Sequence, residues 1–549
     1  MTGHSSRSEN PPARPRPSYA LALLAVLLIA ALLRLYQFDL IEFKTDEAMI
    51  CDITIDMLES GRPATHGLLS GKGITNFPMF ACLLAGPMML SRDPSFLTAL
   101  ITLSNLVAIG LLFHYAATRW GWPVALWAAL LMAASPWAVL YSRKIWAQNV
   151  LPVLIVPALF SLMRLLDGEK RSTFWLVLLT GIAAMTHLSG FCAIAASLVV
   201  LAVFRPSIDW KHAGLAMAVL VVLAGPYLYY LATEGATDRQ RAVEYLKGEG
   251  TPAAYKPSLN QIAATGLNII NDYGFDHVLG SPPEGPPPVY GSQRPGSIVG
   301  RIVAVAAVLT LLVRAAVDTR RRSGTPGARD IRRSRAVLLI WLATPLVMYR
   351  LAGIRVHTHY FIVIMPVLFL AIGIALEDLR RSAANLRWTL PRNLLQALPI
   401  ALGLGIACSG VASNWRFHRI IESNGGAPGG YEVALRYKQA AVLHIVAQAG
   451  DHPVALVGDT VARTPQPGAE DYEYLLRLAR RRAGYADDST TSPRRDFVIV
   501  DPYRYNLSPA EFQMLARYAP RQFGPVLVCA LPEQDTSRTH DPALGVENR

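Results

Sequence analysis

The sequence predicts a polytopic α-helical membrane protein of about eleven transmembrane helices, with a small C-terminal α/β domain outside the membrane. Apolar runs of roughly 17–25 residues, the length that crosses a bilayer, recur as far as residue 413. Charged residues make up only 17% of the 549, against about a quarter in a soluble protein. Past residue 413 the pattern changes to short β-rich runs alternating with helical ones. A closed β-barrel would show short alternating segments throughout, and none are seen.

Residues 1–17 are polar, carry Arg7, Arg14 and Arg16, and read as a disordered cytoplasmic tail. Tyr19–Phe38 is the first span. It is long for the apolar core of a signal peptide and many spans follow, so it reads as an anchor. Residues 39–95 form the first outer loop. Within it Asn76–Leu90 is apolar but short, carries Pro78 and Pro87, and reads as an interfacial helix. Further spans are drawn at 96–117, 123–141, 146–166, 173–187, 189–204, 212–233, 298–317, 336–350, 359–376 and 394–413. A single helix over 173–204 would be about 48 Å long against a core of about 30 Å. The break is therefore placed at His187-Leu188-Ser189-Gly190.

Charge sorts the loops. The net charge is +13, yet the arginines cluster in short loops between spans, as the positive-inside bias requires, so no nucleic-acid partner is inferred. The loops around Arg119, Lys170-Arg171, 205–211, 318–335 and 377–393 fall on the cytoplasmic side. The outer side holds 39–95, 142–145, 351–358, a long loop 234–297 and the domain 414–549. The Pro-rich stretch Ser281–Pro288 suits a lid. In the domain, helices are expected at 431–449, 469–483 and 509–517, and strands at His452–Gly458, Asp496–Val500 and Pro525–Leu531. No Gly-rich phosphate loop follows these strands. The five cysteines, Cys51, Cys82, Cys192, Cys408 and Cys529, are scattered without metal or disulfide spacing.

The chemistry concentrates on the outer face. Asp46 and Glu47 stand just past the first span, in Phe43-Lys44-Thr45-Asp46-Glu47-Ala48. Capping alone is one explanation: Thr45 is a good N-cap, and acids in a first turn complement the helix dipole. Outer loops that should lack cations nevertheless carry them. Arg143 and Lys144 lie between two spans, Arg355, His357 and His359 lie at a later turn, and Lys72 lies in Ser70-Gly71-Lys72-Gly73. Snorkelling to lipid headgroups explains any one of these; as a group they suit an anion, which such residues bind by charge-assisted hydrogen bonds. A carboxylate opposite cations is what glycosyl transfer from a lipid phosphate needs: a base for the acceptor's proton and charge for the leaving phosphate. His357-Thr358-His359 as a metal pair is a weak signal without a nearby acid.

The order of features resembles the GT-C glycosyltransferases, in the branch of the protein O-mannosyltransferases and the bacterial lipid A aminoarabinose transferase. The resemblance runs through Leu33-Arg34-Leu35-Tyr36, Thr45-Asp46-Glu47-Ala48, Asn76-Phe77-Pro78, Ser142-Arg143-Lys144, and His359-Tyr360-Phe361 with Pro366. It implies Asp46 as catalytic base with Glu47 beside it, and a polyprenyl-phosphate sugar as donor. It also implies inverting transfer to a cell-envelope acceptor (lipid, glycan or protein) on the periplasmic side of the cytoplasmic membrane. Lys72, Arg143, Lys144, Arg355, His359 and Tyr360 become the expected donor-phosphate residues. The chain departs from the family at Phe77-Pro78, where two prolines are usual, at Gln148-Asn149, where an acid is usual, and at His187, where Lys is usual. Those departures leave open a second acidic site and a divalent metal. The competing functions are a transporter or flippase of an anionic or lipid-linked substrate, and an assembly protein with an outer interaction domain. A transporter should carry ionisable groups near the bilayer midplane, whereas here the polar groups gather at one face.

Overall fold

A computed structural model describes residues 17–70, 73–246, 257–280, 295–320, 326–385, 389–458, 465–466, 468–485, 493–504, 513 and 515–532. Lys72, Ser281–Pro288 and most of the expected helix 509–517 lie outside them.

The first span is α1, Pro17–Leu35. It stops short of Phe38 because Gln37 takes a left-handed conformation, φ 46°. The outer loop then supplies α2, Thr45–Ser60, and α3, Met79–Leu90. Next come α4, Pro94–Trp120, and α5, Trp122–Ala134. Asp93 caps α4, its carboxylate accepting the Ser95 amide at 2.8 Å, with Pro94 in the first turn where a missing N–H costs nothing. The span drawn over 123–141 bends by 63° after α5. Pro136 cannot continue a helix, so Ser135 caps a new one, α6, Pro136–Ser142.

The chain continues through α7, Leu151–Leu166, α8, Ser172–Thr186, α9, Phe191–Phe204, and α10, Trp210–Thr233. The break between α8 and α9 falls at His187, where expected. Loop 234–297 contains α11, Ala236–Leu246, α12, Leu259–Leu267, and α13, Asp276–Leu279. Four long helices close the bundle: α14, Pro295–Arg320; α15, Pro326–Ala352; α16, Met365–Ala384; and α17, Thr389–Asn424. The last runs past 413, so the C-terminal domain begins beyond Asn424.

Among the described residues eight helices are long and apolar enough to cross a membrane alone, and the bent α5–α6 pair makes a ninth. The expected eleven is reached only by adding α8 and α9, which are shorter. The protein is a multi-pass membrane protein. Its centre is α16, buried along most of its length against α5. Gly373 permits that approach, since a Cβ there would lie 2.8 Å from the Val124 carbonyl oxygen.

The bundle has two chemically different ends. At one, Arg119 pairs with Asp167 (2.5 Å), Arg335 pairs with Asp378 (2.8 Å), and Arg333 donates to the Leu166 carbonyl (3.1 Å). This end gathers the Arg-rich loops. The other end carries α2, α3 and the C-terminal domain. That domain opens with a hairpin, β1 Gly426–Ala427 and β2 Glu432–Val433. Helices α18, Leu435–Ala449, and α19, Glu470–Arg482, accompany β3 Val454–Leu456, β4 Arg495–Val500, β5 Arg521–Phe523 and β6 Val526–Ala530. The sheet order is β3-β4-β6-β5, with β3 parallel to β4 and the rest antiparallel. Strand β5 was not expected: Arg521-Gln522-Phe523 is too short and too polar to stand out.

Candidate active site

Helix α2 begins at Thr45, but Thr45 does not cap it. The N-cap position is Lys44, without a side-chain cap bond, and the Thr45 hydroxyl donates to Glu470 of α19 at 3.3 Å. The expected capping role of Thr45 is thereby corrected, and one explanation of the acid pair loses its anchor.

Successive helical residues turn by about 100°, which separates the two acids. Asp46 is exposed and lines a cavity of about 430 Å³. Glu47 is wholly buried, with both carboxyl oxygens lacking a hydrogen-bond partner and Lys144 Nζ 3.6 Å away. Burial pushes the Glu47 carboxyl up to about 7; Lys144 opposes the rise and Glu42 adds to it.

The cavity walls are mostly apolar, with Ile50, Phe77, Phe80 and Ile354 among them. Its polar lining includes Asn76, Gln148, His187, Ser189, His359 and Tyr360. Each sits where a helix breaks or starts, which is why loops and helix ends meet here rather than helix faces. The His187 Nδ1 accepts the Ser189 amide at 3.2 Å, which leaves the neutral ring's N–H on Nε2. The His359 ring stacks on His357 (8°, centroids 5.5 Å) and meets Tyr360 edge-on at 4.5 Å. Tyr349 donates from its hydroxyl to the Tyr360 carbonyl at 2.8 Å and fixes that turn.

The cations distribute differently from the sequence expectation. Arg143 is buried with its guanidinium on the carbonyls of Tyr36 (2.7 Å) and Gln37 (2.8 Å) and on His418 (3.0 Å). It braces the left-handed turn after α1 and does not line the cavity. Lys144 pairs with Glu42 at 2.6 Å and lies 3.4 Å from the Trp146 ring centroid. Burial holds the Lys144 ammonium below its usual range. Burial also pushes Glu42 up, but Lys144 and Lys44 outweigh it and its carboxyl ends below the ordinary value. Arg355 is exposed beside the cavity, next to its lining residue Ile354. Lys72 lies outside the described residues, but its neighbour Ser70 lines the cavity.

Among the described residues no three His, Cys, Asp or Glu side chains gather to hold an ion, and His357 and His359 stack ring on ring. Sequence reasoning missed Trp146 and Tyr349 as cavity residues and Glu42 as the partner of Lys144. An aromatic two residues after a basic pair at a span's edge was the available signal for Trp146.

Compared with solved structures, nearly the whole chain superposes on ArnT from Cupriavidus metallidurans. In the apo state the match covers 93% of this chain and 98% of that one, with a TM-score of 0.51 at 14% identity. With ArnT bound to undecaprenyl phosphate the figures are 94%, 98%, 0.50 and 13%. This chain has the GT-C fold. A more distant likeness, with a TM-score of 0.47 at 13% identity, is to the oligosaccharyltransferase AglB from Archaeoglobus fulgidus, over 84% of this chain and 59% of that one. No family profile and no curated protein matches the sequence significantly. Within this GT-C bundle, Asp46 and the His359-Tyr360 turn, more than three hundred residues apart in sequence, line one cavity.

Proposed function

We propose that this protein is an inverting glycosyltransferase. It moves a sugar from a polyprenyl-phosphate donor to a hydroxyl of a cell-envelope acceptor at the outer face of the cytoplasmic membrane. The observation that carries the reading is Asp46: an exposed carboxylate, without an ion pair among the described residues, on a largely apolar cavity that His187, His359 and Tyr360 also line. The ArnT structure holding undecaprenyl phosphate supports the donor class.

Asp46 takes the proton from the acceptor hydroxyl. The freed oxygen attacks the anomeric carbon on the face opposite the phosphate. The carbon–oxygen bond to phosphate breaks, its electron pair leaves on polyprenyl phosphate, and the anomeric configuration inverts. The Nε2–H of His187, with His359 and Tyr360, donates hydrogen bonds to the phosphate oxygens as charge develops there. Arg355 adds positive charge beside the cavity, and Glu47, Arg143 and Lys144 support the loops from behind.

Transfer of labelled sugar from polyprenyl-phosphate donors tests this. In Asp46→Asn, inserted at the wild-type level, activity falls at least about a hundredfold, the range expected for loss of a general base. An Asn variant of equal activity would remove the base assignment, and a wild type that consumes no such donor would remove the transferase reading.

A further inference from the structure

The segment leading into Asp46 is held from behind by the C-terminal domain. The Leu435 amide donates to the Ile41 carbonyl at 2.9 Å, and Glu42 pairs with Ala434 as an isolated antiparallel bridge. Tyr431 donates from its hydroxyl to the Leu40 carbonyl. Lys44 Nζ donates to the Gly430 carbonyl at 2.6 Å. The Tyr474 ring packs on Phe43 at 5.5 Å. Lys438 stands out. It is wholly buried, donates to the Phe43 carbonyl at 2.9 Å, and forms an ion pair with Asp471. Asp471 is also gripped by Arg504, each oxygen accepting at 2.8 Å. Burial raises the Asp471 carboxyl, but Lys438 and Arg504 outweigh it and hold it below its usual value.

This cluster has an internal part and an outward part. The Asp471–Arg504 fork closes within the domain. The bond from Lys438 to Phe43 leaves the domain and ends three residues before Asp46. A charge-assisted bond to a buried carbonyl fixes that carbonyl, and losing it costs the full desolvation of the group.

We propose that the C-terminal domain sets the position of the Asp46 carboxylate, with Lys438 as the positioning residue that ties it to the loop. The proposal rests on the reading of Asp46 as the base. It makes the domain part of the reaction centre although none of its described residues lines the cavity.

The test is Lys438→Met in the full-length protein, which removes the outward bond and leaves the Asp471–Arg504 fork. Two quantities are read: amide hydrogen exchange of residues 41–48, and kcat and donor KM per folded molecule. Exchange across 41–48 rises while α4 is unchanged, and kcat falls about ten- to a hundredfold with KM held, the penalty expected for a displaced catalytic group. Lys438→Arg, which retains a donor, recovers part of kcat. A purely stabilising role predicts fewer folded molecules with unchanged kcat, and that result overturns the proposal, as does unchanged exchange in 41–48. If Lys438→Met fails to fold, Lys44→Met cuts the tie to Gly430 nearer the surface and is read in the same way. A wild type inert toward every polyprenyl-phosphate donor would defeat the transferase reading, and the exchange arm would still uphold or overturn the tie.

Discussion

Asp46 and Glu47 are neighbours in sequence and opposites in environment. The first is exposed on the cavity, while the second is sealed beside Lys144. With its pKa raised to about 7 by burial, Glu47 binds its proton more tightly folded than unfolded. Between the unfolded carboxyl value and about 7 the folded state therefore holds more protons, and stability falls as pH rises through that window. Glu47→Gln removes this dependence. The variant should gain on wild type by on the order of 2–3 kcal/mol between pH 4.5 and 8, read as thermal stability in detergent across that range. A constant difference would show that Glu47 does not titrate there. The sequence showed two acids and no means of telling them apart. Their difference comes first from the burial of Glu47, which Glu42 reinforces and Lys144, arriving from another segment, opposes.

At the scale of an element, the turn between α6 and α7 was legible and the direction of its side chains was not. Ser142-Arg143-Lys144 announced itself by placing cations on the side poor in them. What Arg143 binds depends on Gln37, whose left-handed backbone leaves carbonyls facing inward, and no residue preference at Gln37 signals that. Two consequences follow for Arg143→Met. Stability should fall by about 2–4 kcal/mol, because carbonyls of Tyr36 and Gln37 lose a buried charged donor. Donor KM should stay unchanged in the molecules that fold, where a phosphate-binding arginine would raise it; paired denaturation and kinetic measurements separate the two. The break at His187 tells the opposite story. Length alone required it, and there the side chain that ends one helix also accepts the next turn's amide.

For the whole molecule, the alternation of apolar runs with charged loops was enough to draw the bundle and to sort its two ends. The C-terminal domain was legible as alternating elements, while its docking was not. That docking uses α19 arginines on α2 acids, Arg477 on Asp52 (2.6 Å) and Arg481 on Glu59 (3.0 Å). Surface ion pairs of this kind leave no periodic trace in sequence. Being half-exposed, each contributes under about 1 kcal/mol, so Arg477→Ala should leave the domain docked and the activity intact. Sidedness has its own measurement. With Cys82 and Cys408, the exposed cysteines among the described residues, replaced by Ser, an impermeant thiol reagent should label Leu443→Cys on the exposed face of α18 and spare Thr325→Cys in the Arg-rich loop. Labelling of position 325 from outside would invert the drawing.

The bond between Lys438 and Phe43 joins residues 395 positions apart, and a ribosome makes them in a fixed order. Asp46 reaches the membrane surface with the first span, long before the residues that hold its loop exist. The nascent protein therefore inserts its helices one after another before the loop at Asp46 is held. Lys438 gains its counter-ion only when the chain has passed Asp471, and Asp471 its fork only when it has passed Arg504. On the proposed role of Asp46, competence arrives only with the C-terminal domain. A stop codon placed after α17 should yield a membrane-inserted product that transfers no sugar.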